Sequence, residues 1–256
     1  MKPFLISDDH AKTYEDQMPP WGFNGLGYVV YKRTYARPIF AGNSDVIERT
    51  EEWHETVQRV VNGAQNIGAQ LSEDEALRLY DYLFNLKGNV AGRMLWQLGT
   101  ANNKRLGGDS LVNCWFVDVQ KPTDFSWAVE RLMLGGGVGF SCDKPERLGT
   151  VRSAWVEHLD ANDSDYIVPD TREGWGEVIR KVFECYLGGY DHAKKMTYAT
   201  HLIRPAGVPI KTFGGTASGP DILISGIEKI CAVLDGAVGR TLTSVEVLDC
   251  LNIIGS

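Results

Sequence analysis

The sequence predicts an α/β protein in which a helical layer precedes a mixed core, and three observations carry that reading. Between Glu51 and Ile67 the apolar residues Trp53, Val57, Val60, Val61 and Ala64 recur at helical spacing. A second helix runs from the capping signature Ser72-Glu73-Asp74-Glu75 to a stop near Gly88. Residues 111–142 then read as strand, helix, strand, the unit from which parallel sheets are built.

Taken in order, the chain opens with a stretch to about Phe40 that is rich in Pro, Gly and aromatics. Its most regular piece, Gly27 to Arg37, reads as an extended arm. After the two helices comes an irregular segment from Gly99 to Gly108. Leu111 to Val119 is dense in β-formers and short enough for a buried strand. Alternation puts Cys114 on one face with Val112 and Phe116, and Asn113 and Trp115 on the other. Asp124 to Leu134 reads as a helix stopped by Gly135-Gly136-Gly137, and Val138 to Cys142 as the next strand. A polar, Asp-rich connection follows from Asp143. It leads to a helix capped by Asp170-Thr171-Arg172-Glu173 and ended by Gly188-Gly189. Residues 143–201 look like an insertion in the core. A glycine-rich return, Ile203 to Pro220, precedes a helix from Asp221 to about Leu234. A last helix begins at Thr243-Ser244-Val245-Glu246 and carries Val245, Val247, Leu248, Leu251 and Ile254. Its stripe fits docking on its own domain as well as cover supplied by another polypeptide. The domain boundaries read as 1–106 for the arm and helical layer and 107–256 for the core.

Composition narrows the classes. With 43% hydrophobic residues in 256, the chain can bury a core without disulfides or metals. The 26 basic against 33 acidic residues give a formal net charge of −7, which disfavours nucleic acid or an anionic membrane as a general partner. No leader and no bilayer-length apolar run is read, so the expected compartment is the cytoplasm. The five cysteines, at 114, 142, 185, 231 and 250, form no C-x-x-C pair and no zinc-spaced cluster, so no metal site is expected.

Two glycine motifs invite a nucleotide reading. Gly135 to Phe140 runs helix, glycines, strand, the reverse of the strand-turn-helix order that a dinucleotide phosphate site needs, and reads as a tight turn. Gly214-Gly215-Thr216-Ala217-Ser218-Gly219-Pro220 exposes backbone N–H groups ahead of a helix. Spacing alone leaves it between an anion or nucleotide cradle and an ordinary turn.

The ensemble is more specific than any part. Tyr31-Lys32-Arg33-Thr34-Tyr35-Ala36-Arg37, Gly108-Asp109-Ser110-Leu111-Val112-Asn113-Cys114-Trp115-Phe116, Gly135 to Ser141, Asp170 to Trp175, Arg204-Pro205-Ala206-Gly207 and Phe213 to Pro220 occur in the order found in class II ribonucleotide reductases. The chain resembles the N-terminal part of the monomeric ribonucleoside-triphosphate reductase type. The resemblance implies a helical layer followed by part of a ten-stranded α/β barrel, and adenosylcobalamin-initiated thiyl radical chemistry that reduces ribonucleotides to deoxyribonucleotides.

The resemblance also assigns residues. Cys114 matches the first of two reducing thiols, where a lone cysteine would ordinarily be a small apolar core residue. Its strand position implies a sulfur that looks into the barrel beside a cavity. Gly99, Thr100, Ser110 and Asn113 fall where substrate binds. A deoxynucleoside triphosphate effector is implied near Asp124, Arg131 and Arg172, although Arg172 could equally pair with Asp170 or Glu173 on a solvated face. The family's Asn-Pro-Cys-Gly-Glu motif, with its radical cysteine, does not occur in the sequence, nor does most of the cobalamin-contacting region. The expected partners are therefore a C-terminal half as a second chain, a ribonucleotide, the dNTP effector and a thioredoxin-like reductant. A non-catalytic dNTP-binding module is the competing reading, and a truncation or a split gene joined after translation would give the same sequence.

Overall fold

The computed structural model describes residues 3–42, 44, 46–159, 162–188, 192–211 and 213–256. Gly189, read above as part of a helix stop, lies outside them. The chain divides into two compact units, one of Met1–Val112 with Pro209–Gly215 and one of Asn113–Val208 with Thr216–Ser256.

The first unit is mostly helical: α1 (Asp8–Lys12), α2 (Leu26–Thr34), the antiparallel pair β1 (Pro38–Phe40) and β2 (Ile47–Thr50), then α3 (Trp53–Asn66), α4 (Glu73–Phe84), α5 (Gly92–Gln97) and α6 (Ala101–Leu106), closed by a 3₁₀ turn over Gly107–Leu111. Trp53, Val57, Val60 and Val61 of α3 and Ala76, Tyr80, Leu83 and Phe84 of α4 are buried together, so the helical periodicity marks the core face as expected. The capping box of α4 is present: Glu75 N donates to Ser72 Oγ, and Ser72 N donates to the Glu75 carboxylate at 2.9 Å.

Two expectations are corrected here. The supposed extended arm contains α2, because tertiary contacts outweigh the β-propensity of its Val and Tyr residues. Tyr31 is buried against Trp21 and Trp53, and its hydroxyl donates to Glu51 O at 3.0 Å; an extended chain would not bring that side chain to this place. The supposedly irregular Gly99–Gly108 segment contains α6, whose N-cap Thr100 accepts from Asn103 N.

The second unit holds β3 (Cys114–Asp118), α7 (Pro122–Met133), β4 (Gly137–Ser141), β5 (Trp155–His158), β6 (Tyr166–Ile167), α8 (Arg172–Leu187), β7 (Lys195–Ala199), α9 (Asp221–Gly236) and α10 (Ser244–Gly255). β3 and β4 pair in parallel with Cys114 opposite Gly137, so the strand–helix–strand unit forms as read. The connection read as polar and Asp-rich carries strands. β5, β7 and β6 make a parallel three-stranded sheet with β7 in the middle. Strands of two to five residues leave too short a pattern to be seen in the sequence. α7 packs on α8 with Phe125 and Phe183 stacked 3.8 Å apart, and both enter a core with Val178, Val182, Ile227, Leu234 and Leu251. In α10, Val247, Cys250 and Leu251 are buried on this unit, whereas Val245 and Leu248 stay exposed. Cys185 and Cys250 are buried packing residues, and all five thiols are free. Among the described residues no helix is long and apolar enough to cross a membrane.

Candidate active site and nucleotide-binding residues

β3 follows the 3₁₀ turn by way of Asn113, whose carbonyl accepts from Gly137 N at 2.8 Å and starts the ladder with β4. The strand alternation is as expected: Trp115 turns towards α7, and Cys114 shares the opposite face with Phe116. That face is open. Cys114 is exposed and Phe116 is 67% exposed, which corrects the expectation of a sulfur enclosed in a barrel beside a cavity. The reason is geometric, since a barrel interior is enclosed only when all its strands close on one another, and two strands have an interior face but no interior.

Gly135 and Gly136 act as a turn and a close approach. Gly135 is left-handed at φ 68°, and a Cβ on Gly136 would lie 2.8 Å from the Trp115 indole. Trp115 and Trp127 flank the Arg131 guanidinium at 5.0 and 5.5 Å. Arg131 and Arg172 each lie 3.8 Å from the Glu130 carboxylate, and Arg172 donates to Glu173 at 2.7 Å. The Arg172 side chain is only 13% exposed, so it is not on a solvated face. Its Nε and Nη1, like Trp115 Nε1, are buried donors without a hydrogen-bond acceptor. The helix cap is Thr171 rather than Asp170: Gly174 N donates to Thr171 Oγ1, and Asp170 instead pairs with Arg204 at 2.6 Å.

Of the residues implied for the effector, the structure therefore unites Arg131 with Arg172. Asp124 stands apart from them at the first turn of α7, where its carboxylate accepts from Gln120 N at 2.8 Å and Lys121 N at 3.0 Å. Near it, at the carboxyl ends of β3 and β4, is a cluster that sequence reasoning missed. Arg147 donates to Asp118 at 3.1 Å, Gln120 Nε2 donates to the same oxygen, and Ser141 donates to Asp143. That last hydrogen bond holds the Asp143 carboxyl below the usual range. The signal available was the general placement of ligands outside the carboxyl ends of parallel strands.

In the first unit, Gly99, Thr100 and Ser110 are drawn together by Asn103, another residue not singled out from sequence. Its Oδ1 accepts from Gly99 N at 3.2 Å, and its Nδ2 donates to Ser110 Oγ at 3.1 Å and to Gly107 O at 2.9 Å. Thr100 Oγ1 donates to Gln97 O, and Ser110 Oγ donates to Gly107 O, so both hydroxyls have internal partners and Ser110 is 1% exposed. Gly99 has to be glycine: φ is 81°, and a Cβ would sit 2.4 Å from Arg59 O. Asn113 belongs to the second unit.

Comparison with known proteins gives this arrangement its family. The ribonucleotide reductase alpha domain matches residues 6–100, and the insertion domain of B12-dependent ribonucleotide reductase matches residues 140–234. The chain belongs to the B12-dependent, class II ribonucleotide reductase family. It is 34% identical to the adenosylcobalamin-dependent ribonucleoside-triphosphate reductase of Levilactobacillus brevis, over 96% of this chain and 40% of that protein. It is also 34% identical to the enzyme of the same description from Lactobacillus leichmannii, over 93% and 39%. A crystal structure of a B12-dependent class II ribonucleotide reductase superposes with a TM-score of 0.80 at 32% identity, over 98% of this chain and 42% of that one. The mixed helix-and-strand fold is thus that of class II reductases, and the chain spans about two-fifths of the length of the curated relatives it matches. The reductase family stands on these matches although the Cys114 face is open.

Proposed function

We propose that the chain is the N-terminal portion of an adenosylcobalamin-dependent ribonucleoside-triphosphate reductase of the cytoplasm, and that Cys114 is one of its two reducing thiols. The observation that carries this is Cys114 itself: a thiol at the first residue of a parallel strand, exposed on a face shared with the exposed Phe116. In the reduction the ribose 2′-hydroxyl leaves as water. Two electrons pass to the sugar, and Cys114 and a second thiol become a disulfide, which a thioredoxin-like dithiol reduces again.

Adenosylcobalamin, when bound, supplies the radical that starts such chemistry. The corrin ring holds its own cobalt, so the protein's part is a surface wide enough for the ring rather than a cluster of metal ligands. The cavity of about 670 Å³ in the first unit, walled by Trp21, Tyr28, Trp53 and Phe84, has the size of a site for smaller ligands. Most of the cofactor's contacts, the radical cysteine and the second thiol are accordingly assigned to a C-terminal portion, as a second chain. Gly99, Thr100, Ser110 and Asn113 are placed on the substrate side. The allosteric dNTP is placed between α7 and α8, where the acceptor-free donors of Arg172 face an anion more favourably than water, with Asp124 at the far end of α7.

Reconstitution tests this reading. The chain mixed with a C-terminal portion, adenosylcobalamin, a dithiol and a ribonucleoside triphosphate is expected to form deoxynucleotide, and the Cys114→Ser chain is expected to form none. An inactive wild-type mixture would remove the proposal.

A further inference from the structure

Residues Pro209–Gly215 belong to the first unit although the chain on either side belongs to the second. Among their described residues, Ile210 N donates to Gly215 O at 2.8 Å and Gly214 N donates to Ile210 O at 2.7 Å, which brings the two ends together. What holds this tip is unusually specific. Arg37 Nη1 donates to Phe213 O at 2.6 Å and Nη2 to Lys211 O at 3.2 Å. Gln97 Nε2 donates to the same Phe213 carbonyl at 2.9 Å, and its Oε1 accepts from Asn102 Nδ2 at 3.2 Å. The Phe213 ring meets Trp96 edge-on at 4.8 Å, and the Arg93 guanidinium lies over both rings. Gly214 closes against the same group. Its φ is 104°, and a Cβ there would come within 3.1 Å of Arg37 Nη1 and 3.2 Å of Trp96.

Burying a guanidinium and a primary amide costs several kcal/mol unless each is well paired. Arg37 is 7% exposed and Gln97 fully buried, yet both converge on one main-chain oxygen of a seven-residue excursion. A segment that only connects two elements needs no such fixing, because apolar packing would hold it. Two donors from separate parts of the chain, one of them charged, define the position of a carbonyl in space and so the orientation of the peptide planes that follow it. The next residues are Gly214 and the exposed Gly215, which lack side chains to set their own conformation and begin the glycine-rich segment offered by the sequence as a nucleotide cradle.

We propose that Arg37 and Gln97 are positioning residues for nucleotide recognition: they fix the Phe213 carbonyl and thereby hold the Gly214-Gly215 backbone in the form that meets the nucleotide. The inference rests on the reductase reading above. Arg37→Lys keeps the charge but loses the planar fork, and Gln97→Met keeps the volume but loses the donor. Both are made in the full 256-residue chain. Three measurements are compared: amide hydrogen exchange over 209–216, Kd for ATP, GTP, CTP and UTP, and thermal unfolding.

In the variants the Ile210 and Gly214 amides are expected to exchange about tenfold faster. Affinity should weaken by about tenfold and unequally among the four bases, while unfolding shifts by only a few degrees; a merely structural tie would not alter the preference among bases. Wild-type exchange with wild-type affinity would overturn the clamp. Faster exchange with unchanged affinities would overturn the positioning role. Absence of nucleotide binding by the wild-type chain, with exchange still responding to both substitutions, would overturn the nucleotide reading and the role built on it while leaving the clamp as a fact of the fold.

Discussion

Glu51 gathers four donors. Arg59 donates through Nε at 2.7 Å to one carboxylate oxygen and through Nη2 at 2.8 Å to the other, which also accepts from Thr56 Oγ1 at 2.8 Å and Arg37 N at 3.2 Å. The remaining donors of Arg59 reach Leu98 O and Leu95 O, both at 2.7 Å, so this pair also fixes the backbone leading into Gly99. The side chains of Arg59 and Glu51 are 14% and 10% exposed, which places the pair in the regime where removing one partner strands a buried charge. Arg59→Met is expected to cost about 3–5 kcal/mol, and the double change to Met at 59 and Gln at 51 less than the sum of the singles. Urea denaturation of the four members of the cycle measures it, and a single-mutant loss below about 1 kcal/mol would show that the pair is solvated. None of this was visible in the sequence, because Glu51 and Arg59 lie eight residues apart and their meeting depends on how the chain enters α3. Cys114 is the converse case. Alternation gave its face correctly, and only the cover over that face, a property of more distant chain, escaped.

At the scale of elements, the helices that announce themselves through caps and periodicity were the legible ones. α3, α4, α7, α8, α9 and α10 all stand close to where their patterns end, whereas α2, with contrary local preference, is held by the distant Tyr31 hydrogen bond and α6, a short helix, by its own Thr100 cap. The cap of α10 illustrates a local rule strong enough to read and to test. Glu246 N donates to Thr243 Oγ1, while the Glu246 carboxylate accepts from Thr243 N at 2.8 Å and pairs with Arg240 at 2.6 Å. Arg240 first, and then the Thr243 backbone, lower the Glu246 carboxyl from 4.5 to about 2. A carboxyl depressed in the folded state contributes stability that is fully present above its unfolded value and is lost as the pH falls through its folded value. The window is therefore pH 4.5 down to about 2. Because the group is near the surface, solvent screening leaves about 1 kcal/mol of this effect. The Glu246→Gln chain should lose about that much at pH 7 and show a flatter decline of thermal stability across the window. An unchanged acid limb would mean that the ion pair contributes nothing. Thr243→Ala should cost a similar amount above the window and less below it, since it removes a cap and also the hydroxyl's hydrogen bond to the Glu246 carboxylate at 3.0 Å.

For the molecule as a whole, the decisive quantity is how much of the Cys114 face other chain will cover. The family match reaches about two-fifths of a class II reductase, and the parallel pair β3–β4 presents Cys114 and Phe116 to solvent. If this openness arises because the remaining barrel strands are supplied by a C-terminal portion, the thiol's accessibility should change on assembly. The other cysteines provide internal references. Burial pushes the Cys231 thiol up to about 11 and the Cys250 thiol up to about 12. At pH 8 their thiolate fractions are then about one in a thousand and one in ten thousand, and alkylation, which needs the thiolate, is correspondingly slow. Under native conditions the chain alone is expected to lose Cys114 to iodoacetamide first, with Cys231 and Cys250 modified only on unfolding, as peptide mass mapping over time would show. Adding the C-terminal portion should slow modification of Cys114 at least tenfold without altering the order of the rest. A nucleotide substrate added to the assembly should slow it further. Protection of the partly exposed Cys142 with Cys114 left fully reactive would mean that the partner covers a different face, and that β3 is not an inner strand of the completed reductase.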